Sequence, residues 1–286
     1  MKPWNKVAIV GVGLIGGSIG LALQRRNLAR EVVGVGRSEA NLQLAKQRGA
    51  VTSTAASIEA AVPGASLIIV CTPVAQIAAD VQRAAVHCTG EALITDAGST
   101  KLEIAEQLRR SAAASPWPSG VRFVGSHPLA GSEKRGAAHA SADLFVDRMV
   151  ILTPVESTAA ADVAAMREFW SALGARVAEM APAEHDEILA RTSHLPHLVA
   201  AALAAATPIE SLRYTAGGWQ DTTRIAGGDV ELWRQILLSN RANVLSALEH
   251  FSDRLGDLRS ALDRAEPAQL EKLLGEARQV RNALGS

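Results

Sequence analysis

Apolar residues form short runs that alternate with longer stretches of helical periodicity. Runs with the length and composition of buried strands lie at residues 7–10, 32–35, 67–71, 93–95, 121–124 and 149–152. A helix over about 157–173 and a short strand at 176–179 are expected to follow. This alternation is typical of βαβ units and predicts a mostly parallel sheet.

From Pro182 onward the pattern is helical, interrupted by glycine pairs at 217–218 and 227–228. We therefore predict a Rossmann-type α/β domain over residues 1–180 and an all-helical second domain over 181–286. The last long helix is expected to carry an apolar seam, spaced alternately by four and three from Val244. Its members are Leu237, Val244, Leu248, Phe251, Leu255, Leu258 and Leu262. The seam favours a homodimer through the C-terminal helices, and packing within one subunit is the alternative.

Composition narrows the possible partners of the chain. Of 286 residues 48% are hydrophobic, and 29 basic residues balance 29 acidic ones. Without a basic excess, neither nucleic acid nor a membrane surface is an expected partner. No apolar segment reaches membrane-spanning length. Cys71 and Cys88 do not form a disulfide framework, which favours a cytoplasmic location.

A glycine fingerprint follows the first predicted strand directly. Gly11 permits a tight turn, Gly13 lets a pyrophosphate approach the backbone, and Gly16 lets the next helix pack on the strand. Leu14 and Ile15 open that helix, whose N–H groups are expected to face phosphate. The fingerprint predicts a dinucleotide site, and a glycine-rich turn without ligand is the alternative.

The second predicted strand ends in Gly36, Arg37 and Ser38, where an NAD enzyme usually places a carboxylate. Arg37 can pair with a 2′-phosphate and Ser38 can add a hydrogen bond. NADP is therefore the preferred cofactor and NAD remains possible, while a solvated arginine is the alternative interpretation of Arg37. No metal site is expected.

Three segments carry candidate chemistry. His127 lies at the end of the 121–124 run, where parallel strands face the cofactor crevice. His194 and His197 lie three apart on a predicted helix and so point to one side of it. Asp221 and Arg224 lie in a glycine-flanked stretch.

The segment 96–101 joins the fourth predicted strand to its helix. Thr100 with Glu103 fits a capping box. For Ser99, helix capping and catalysis both remain open. His185 belongs to no constellation of residues and is expected to be structural or at the surface, and core packing is the favoured role of Trp233.

With these motifs the chain resembles the prephenate/arogenate dehydrogenase family of tyrosine biosynthesis. The resemblance rests on segments 11–18, 71–73, 96–101, 127–131, 193–197 and 221–226. It implies oxidative decarboxylation of prephenate to 4-hydroxyphenylpyruvate, of arogenate to tyrosine, or of both, with hydride transfer to NADP or NAD. No residue separates the two substrates.

The resemblance also implies residue roles. His127 takes the proton of the C4 hydroxyl, a task suited to a histidine with a pKa near neutrality. Ser99 hydrogen-bonds His127 and that hydroxyl, fixing the tautomer, and Arg224 holds the ring carboxylate. Further residues are assigned to the substrate (His197 and His194), to holding Arg224 in place (Glu133 and Asp221) and to the cofactor (Thr72 and Pro73).

Two other functions are alternatives to this one. β-Hydroxyacid dehydrogenases rely on a lysine in the helix that opens the second domain, and residues 182–206 contain none. A catalytically inactive dinucleotide sensor, with the helical half as an interaction module, should lack the base or the carboxylate clamp. Both His127 and Arg224 are present.

Overall fold

The computed structural model describes residues 2–131, 134 and 136–284. Eight strands form one sheet in the order β3-β2-β1-β4-β5-β6-β7-β8. The strands are β1 Trp4–Val10, β2 Ala29–Val35, β3 Ser53–Thr54, β4 Leu67–Val70, β5 Ala92–Asp96, β6 Val121–Pro128, β7 Met149–Thr153 and β8 Arg176–Glu179. All neighbours pair in parallel except β6 and β7, which are antiparallel. The predicted mostly parallel α/β sheet is confirmed.

Helices cover both faces of the sheet, and further helices follow the last strand along the chain. They are α1 Leu14–Arg25, α2 Glu39–Gln47, α3 Ile58–Ala61, α4 Val74–Val86, α5 Leu102–Ala114, α6 Ala160–Ala172, α7 Pro182–Leu189, α8 Leu195–Ala206, α9 Gly217–Thr223, α10 Val230–Ser239, α11 Arg241–Asp263 and α12 Pro267–Asn282. A π-helical turn, Ala190–His194, joins α7 to α8. The region after Pro182 is helical as predicted.

Alternate residues of the central strands enter two hydrophobic cores, one on each face of the sheet. Ile9 and Ile69 pack with α1, α2 and α6, whereas Ala8 and Ile68 pack with α3, α4 and α5. This is the period-2 pattern of a sheet that is buried on both faces. Strands read as continuous apolar runs for that reason.

The crossing point of the sheet lies between β1 and β4. From there the chain winds outward in both directions, and ligands of such folds bind outside the carboxyl ends of the strands at this point. The glycine turn follows β1, and Cys71 N–H donates to Val10 O (2.7 Å) at the end of β4. The fold therefore places the fingerprint at the expected crevice.

The chain divides into two compact units, Met1–Asn240 and Arg241–Ser286. The second unit contains α11 packed on α12. Leu237 lies on α10 and not on the long helix, because the chain breaks helical geometry at Asn240. The predicted seam is wrong at that position and begins at Val244. The predicted domain boundary near residue 180 stays a prediction.

Among the described residues, every helix is too short or too polar to cross a bilayer.

Candidate active site

The glycine turn has the geometry that a dinucleotide requires. Gly11 adopts φ +93°, and a Cβ there would lie 2.6 Å from Cys71 O. A Cβ on Gly16 would overlap Gly11 O, so the third glycine lets α1 pack against the turn. A Cβ on Gly13 would meet no atom within 4 Å. Gly13 thus borders open space, as expected where a pyrophosphate approaches the backbone.

Polar groups without protein partners border the same turn. Gly13 is the N-cap residue of α1 and supplies no side-chain cap, which leaves the first N–H groups of the helix for a ligand. The Thr72 hydroxyl is buried without a hydrogen-bond partner, and Thr72 N lies 3.0 Å from the Cβ position of Gly11. Leu14 and Ile15, which begin α1, and Pro73, which follows Thr72, lie next to these groups in the chain. These residues fit a dinucleotide pyrophosphate.

The end of β2 carries no carboxylate. Arg37 is exposed and has no hydrogen bond or ion pair to any described residue. The Ser38 hydroxyl accepts from Asn41 N (3.3 Å) as the N-cap of α2. Ser38 therefore has a structural role in this structure, whereas Arg37 remains available for a phosphate.

His127 is the central candidate of the site. It lies near the end of β6 and is 9% exposed. Its Nδ1 is 2.8 Å from His185 Nε2, and the two rings meet edge to face at 5.1 Å between centroids. One imidazole nitrogen of His127 is thus engaged by protein.

His185 was expected to be outside any constellation, and this expectation is wrong. It is fully buried on α7, between His127 and Asp186, with its Nδ1 2.8 Å from Asp186 Oδ1. The contact with His127 joins residues 58 positions apart, so sequence spacing gave no sign of it. The available signal was the adjacent His185-Asp186 pair in a helix that opens with Pro182.

Asp186 also caps α5. Its carboxylate accepts from Lys101 N (2.8 Å) and Leu102 N (3.0 Å). The predicted capping box of Thr100 with Glu103 is therefore wrong, because α5 begins at Leu102 and a carboxylate from α7 takes the helix N-terminus. Thr100 bonds the Ser239 hydroxyl instead, at 3.0 Å.

Ser99 is half-buried and forms no hydrogen bond with any described residue. The expected Ser99–His127 hydrogen bond is absent from the structure. His185 engages Nδ1 of His127 and so takes the orienting role that was expected of Ser99. Capping by Ser99 is also excluded, since α5 has no side-chain cap from its own segment.

A buried ion pair between Lys101 and Asp96 holds the end of β6 in place. Lys101 Nζ contacts Asp96 Oδ2 and donates to Ser126 O at 2.8 Å, and both side chains are almost inaccessible. Asp96 also accepts from Gly98 N (2.8 Å) and Ser126 N (3.2 Å). The residue before His127 is thus held by both members of the pair.

Burial makes His127 a neutral imidazole. Loss of solvation, and then the charges of His185, Lys101 and His194, hold the pKa of His127 well below its ordinary value. The expectation of a pKa near neutrality is corrected, because the strand end is more enclosed than the sequence indicated. Burial likewise lowers the pKa of His185 and takes that of His194 to about 4.

His194 and His197 flank Trp233. The ring of His197 stacks on the indole at 3.6 Å between centroids, and His194 meets it edge-on at 6.3 Å. Asn240 Nδ2 lies 3.1 Å from His194 Nδ1, so His194 is held by protein. His197 Nδ1 is buried without a partner, which leaves this nitrogen for a ligand.

Arg224 begins a 3-10 turn, Arg224–Gly227, that packs on α8, the helix of His197. The guanidinium is exposed and has no partner among the described residues. Asp221 does not pair with it, so that expected support is wrong; both groups are solvated, where an ion pair gains little. No hydrogen bond or ion pair joins Arg224 to His127 within the described part of the chain, and Glu133 lies outside it.

Fold and site together are those of a nicotinamide-dependent oxidoreductase, with a dinucleotide turn at the sheet crossing and a buried histidine at the same edge of the sheet. A family model described as the nucleotide-binding domain of prephenate dehydrogenase matches residues 19–179. A second model, its dimerization domain, matches residues 181–276. The chain belongs to the prephenate dehydrogenase family.

Known members of the family are similar to this chain over nearly its whole length. It is 33% identical to prephenate dehydrogenase of Bacillus subtilis (strain 168), covering 98% of this chain and 76% of that protein. It is also 33% identical to cyclohexadienyl dehydrogenase of Zymomonas mobilis, covering 99% and 97%. The A. aeolicus prephenate dehydrogenase structure with hydroxyphenyl propionate and NAD+ superposes with TM-score 0.88 at 30% identity, covering 98% of each chain.

Proposed function

We propose that this protein oxidises and decarboxylates prephenate, arogenate or both in tyrosine biosynthesis. The observation that carries the proposal is the buried His127, whose pKa is held below its ordinary value by burial, at the end of β6 on the same edge of the sheet as a glycine turn that fits a dinucleotide. A neutral imidazole can take the proton of the C4 hydroxyl as the C4–H bond breaks. Loss of the ring carboxylate as CO2 then makes the ring aromatic.

The bound nicotinamide would supply the acceptor for the hydride that leaves C4. Gly11, Gly13 and Gly16 with Leu14 and Ile15 would hold its pyrophosphate against the start of α1, and Thr72 and Pro73 would border it. Enclosure of His127 excludes water from the proton acceptor, which strengthens the electrostatic interactions at the reacting atoms.

Other chain residues are proposed to hold the substrate. Arg224 would bind the ring carboxylate in a bidentate pair, because its guanidinium has no protein partner. His197 would contact the substrate through its unpartnered Nδ1, with His194 beside it. Ser99 would bond the substrate hydroxyl, since its own hydroxyl is uncommitted.

We propose NADP as the preferred dinucleotide, with NAD also accepted. Arg37 follows the second strand without a protein partner, and no carboxylate lies at that strand end to repel a 2′-phosphate. The N-cap role of Ser38 leaves its hydroxyl with one bond already made. The A. aeolicus relative was solved with NAD+, which keeps NAD in the proposal.

A homodimer through the C-terminal helices is the proposed assembly. The matching family model is a dimerization domain, and α11 and α12 expose large apolar side chains. Leu255 is 55% exposed and Leu262 65%, both on α11, and Val280 of α12 is 75% exposed. A boundary near residue 180 and a cytoplasmic location, which two free cysteines favour, complete the proposal.

The test is an assay of the purified protein with prephenate or arogenate and NADP or NAD, following absorbance of the reduced nicotinamide. We expect turnover, and His127→Asn should lower kcat by about 100-fold or more, since general-base catalysis contributes on that order. His87→Asn, at an exposed position, is the matched control and should keep activity. Dinucleotide binding without turnover on either substrate would favour the inactive sensor.

A further inference from the structure

Asp186 receives three hydrogen bonds in an almost fully buried setting. Its Oδ1 accepts from Lys101 N (2.8 Å), its Oδ2 accepts from Leu102 N (3.0 Å), and His185 Nδ1 lies 2.8 Å from Oδ1. The side chain is 2% exposed, and Asn240 Nδ2 donates to the Asp186 carbonyl at 2.7 Å. A carboxylate in this position is rigidly held and can only accept.

This acceptor decides where His185 carries its proton. With Nδ1 facing a carboxylate at 2.8 Å, the proton of a neutral His185 sits on Nδ1, since the other tautomer would set a lone pair against negative charge. Burial lowers the pKa of His185, so the ring is neutral at pH 7. Its Nε2 is then bare and acts as an acceptor.

The same reasoning passes to His127. His127 Nδ1 lies 2.8 Å from that bare Nε2, and a hydrogen bond there requires the proton on His127 Nδ1. We propose that His185 and Asp186 are positioning residues that hold His127 as the Nδ1–H tautomer and so leave Nε2 free to take the substrate proton. This inference rests on the proposed role of His127 as base.

The arrangement matters because the two tautomers of His127 differ in function. With the proton on Nδ1, the lone pair of Nε2 can accept the hydroxyl proton. With the proton on Nε2, the ring would present a donor and could not act as base until it exchanged protons. In metal sites, a hydrogen bond that orients the far nitrogen of a ligating histidine contributes about 10- to 100-fold to metal affinity or activity, and we expect an effect of similar size here.

The first experiment compares His185→Gln with His185→Leu. Glutamine can accept from His127 Nδ1 through Oε1 and donate to Asp186 through its amide, whereas leucine can do neither. We expect kcat of the glutamine variant to stay within about 10-fold of the parent and that of the leucine variant to fall about 100-fold. KM for prephenate should change little in either variant. Equal kcat in the two variants, or a loss confined to KM, would overturn the proposal.

Nitrogen NMR of the 15N-histidine-labelled protein reads the tautomer without any turnover. At pH 7 we expect His127, assigned by its loss in His127→Asn, to show a protonated Nδ1 and a bare Nε2. The opposite pattern in the parent protein would overturn the proposal even if the leucine variant failed to fold. Failure of the proposed function would look different: the parent protein would turn over neither prephenate nor arogenate, while the NMR pattern would still stand.

Discussion

The buried ion pair of Lys101 and Asp96 at β6 gives a prediction for stability, and its magnitude can be worked out from the structure. Lys101→Met keeps the approximate volume of the side chain. It leaves the Asp96 carboxylate, 0% exposed, with the backbone N–H groups of Gly98 and Ser126 as its remaining donors among the described residues. Removing one member of a buried ion pair costs about 3–5 kcal/mol. For a chain of this size, about 2–4 °C per kcal/mol gives a fall in melting temperature of about 6–20 °C.

The assay is thermal unfolding of four proteins: the parent, Lys101→Met, Asp96→Asn and the double variant. The double variant removes both charges and should be more stable than the sum of the single losses predicts, which is the sign of coupling in a double-mutant cycle. Lys46→Met, at an exposed position of α2, is the matched control and should melt with the parent. A melting temperature of Lys101→Met equal to that of the control would refute the reasoning.

The same substitution has a second, independent readout. The charge of Lys101 is one of the causes that lower the pKa of His127, so its removal should raise that pKa. Because His127 accepts a proton only when neutral, activity is lost as pH falls through its pKa. The acid limb of the kcat/KM profile should therefore move to higher pH in Lys101→Met. A limb that stays in place would mean that Lys101 does not act on His127 electrostatically.

Three further predictions follow from single groups. Arg224→Ala should raise KM for prephenate by about 10- to 100-fold with a smaller effect on kcat, as a charged hydrogen bond contributes about 1.5–3 kcal/mol to binding; an unchanged KM would contradict the clamp. Arg37→Ala should weaken NADP binding about 10-fold more than NAD binding, measured by titration, and equal losses would return Arg37 to the solvated interpretation. The pKa of His194 is about 4 in the folded protein and 6.5 in the unfolded chain. The free energy of unfolding that depends on a neutral His194 is therefore fully present above pH 6.5 and is lost as the pH falls toward 4. Denaturant unfolding at pH 8 and pH 5 should differ by about 2 kcal/mol from this group, and no difference would contradict its burial.

Most of the sheet could be predicted from sequence because its strands are buried on both faces and consist of apolar runs. β3, Ser53–Thr54, was missed since it is a two-residue polar strand at the sheet edge, held by its pairing with β2. The hydrophobic pattern could not predict that β7 runs antiparallel to β6, because a buried strand is apolar in either direction.

In the site, too, features set by neighbouring residues could be predicted, whereas contacts between residues far apart in the sequence could not. The glycine turn is a local motif, and its three positions have the geometry predicted from spacing alone. His127 could be placed at a strand end for the same reason. The hydrogen-bond partner of His127 comes from α7, and neither the resemblance nor the helical pattern indicated that His185 faces the strand.

Asp186 shows why the local capping rule gave the wrong residue at α5. Thr100 and Glu103 satisfy the spacing of a capping box, but a carboxylate delivered by tertiary packing accepts two backbone N–H groups at the start of the helix and carries a full charge into its dipole. The same carboxylate orients His185, so helix start and proton position share one group. A substitution of Asp186 would therefore disturb both the start of α5 and the orientation of His185. His185 does not contact the helix N-terminus, so a substitution of His185 tests the control of the His127 tautomer by itself.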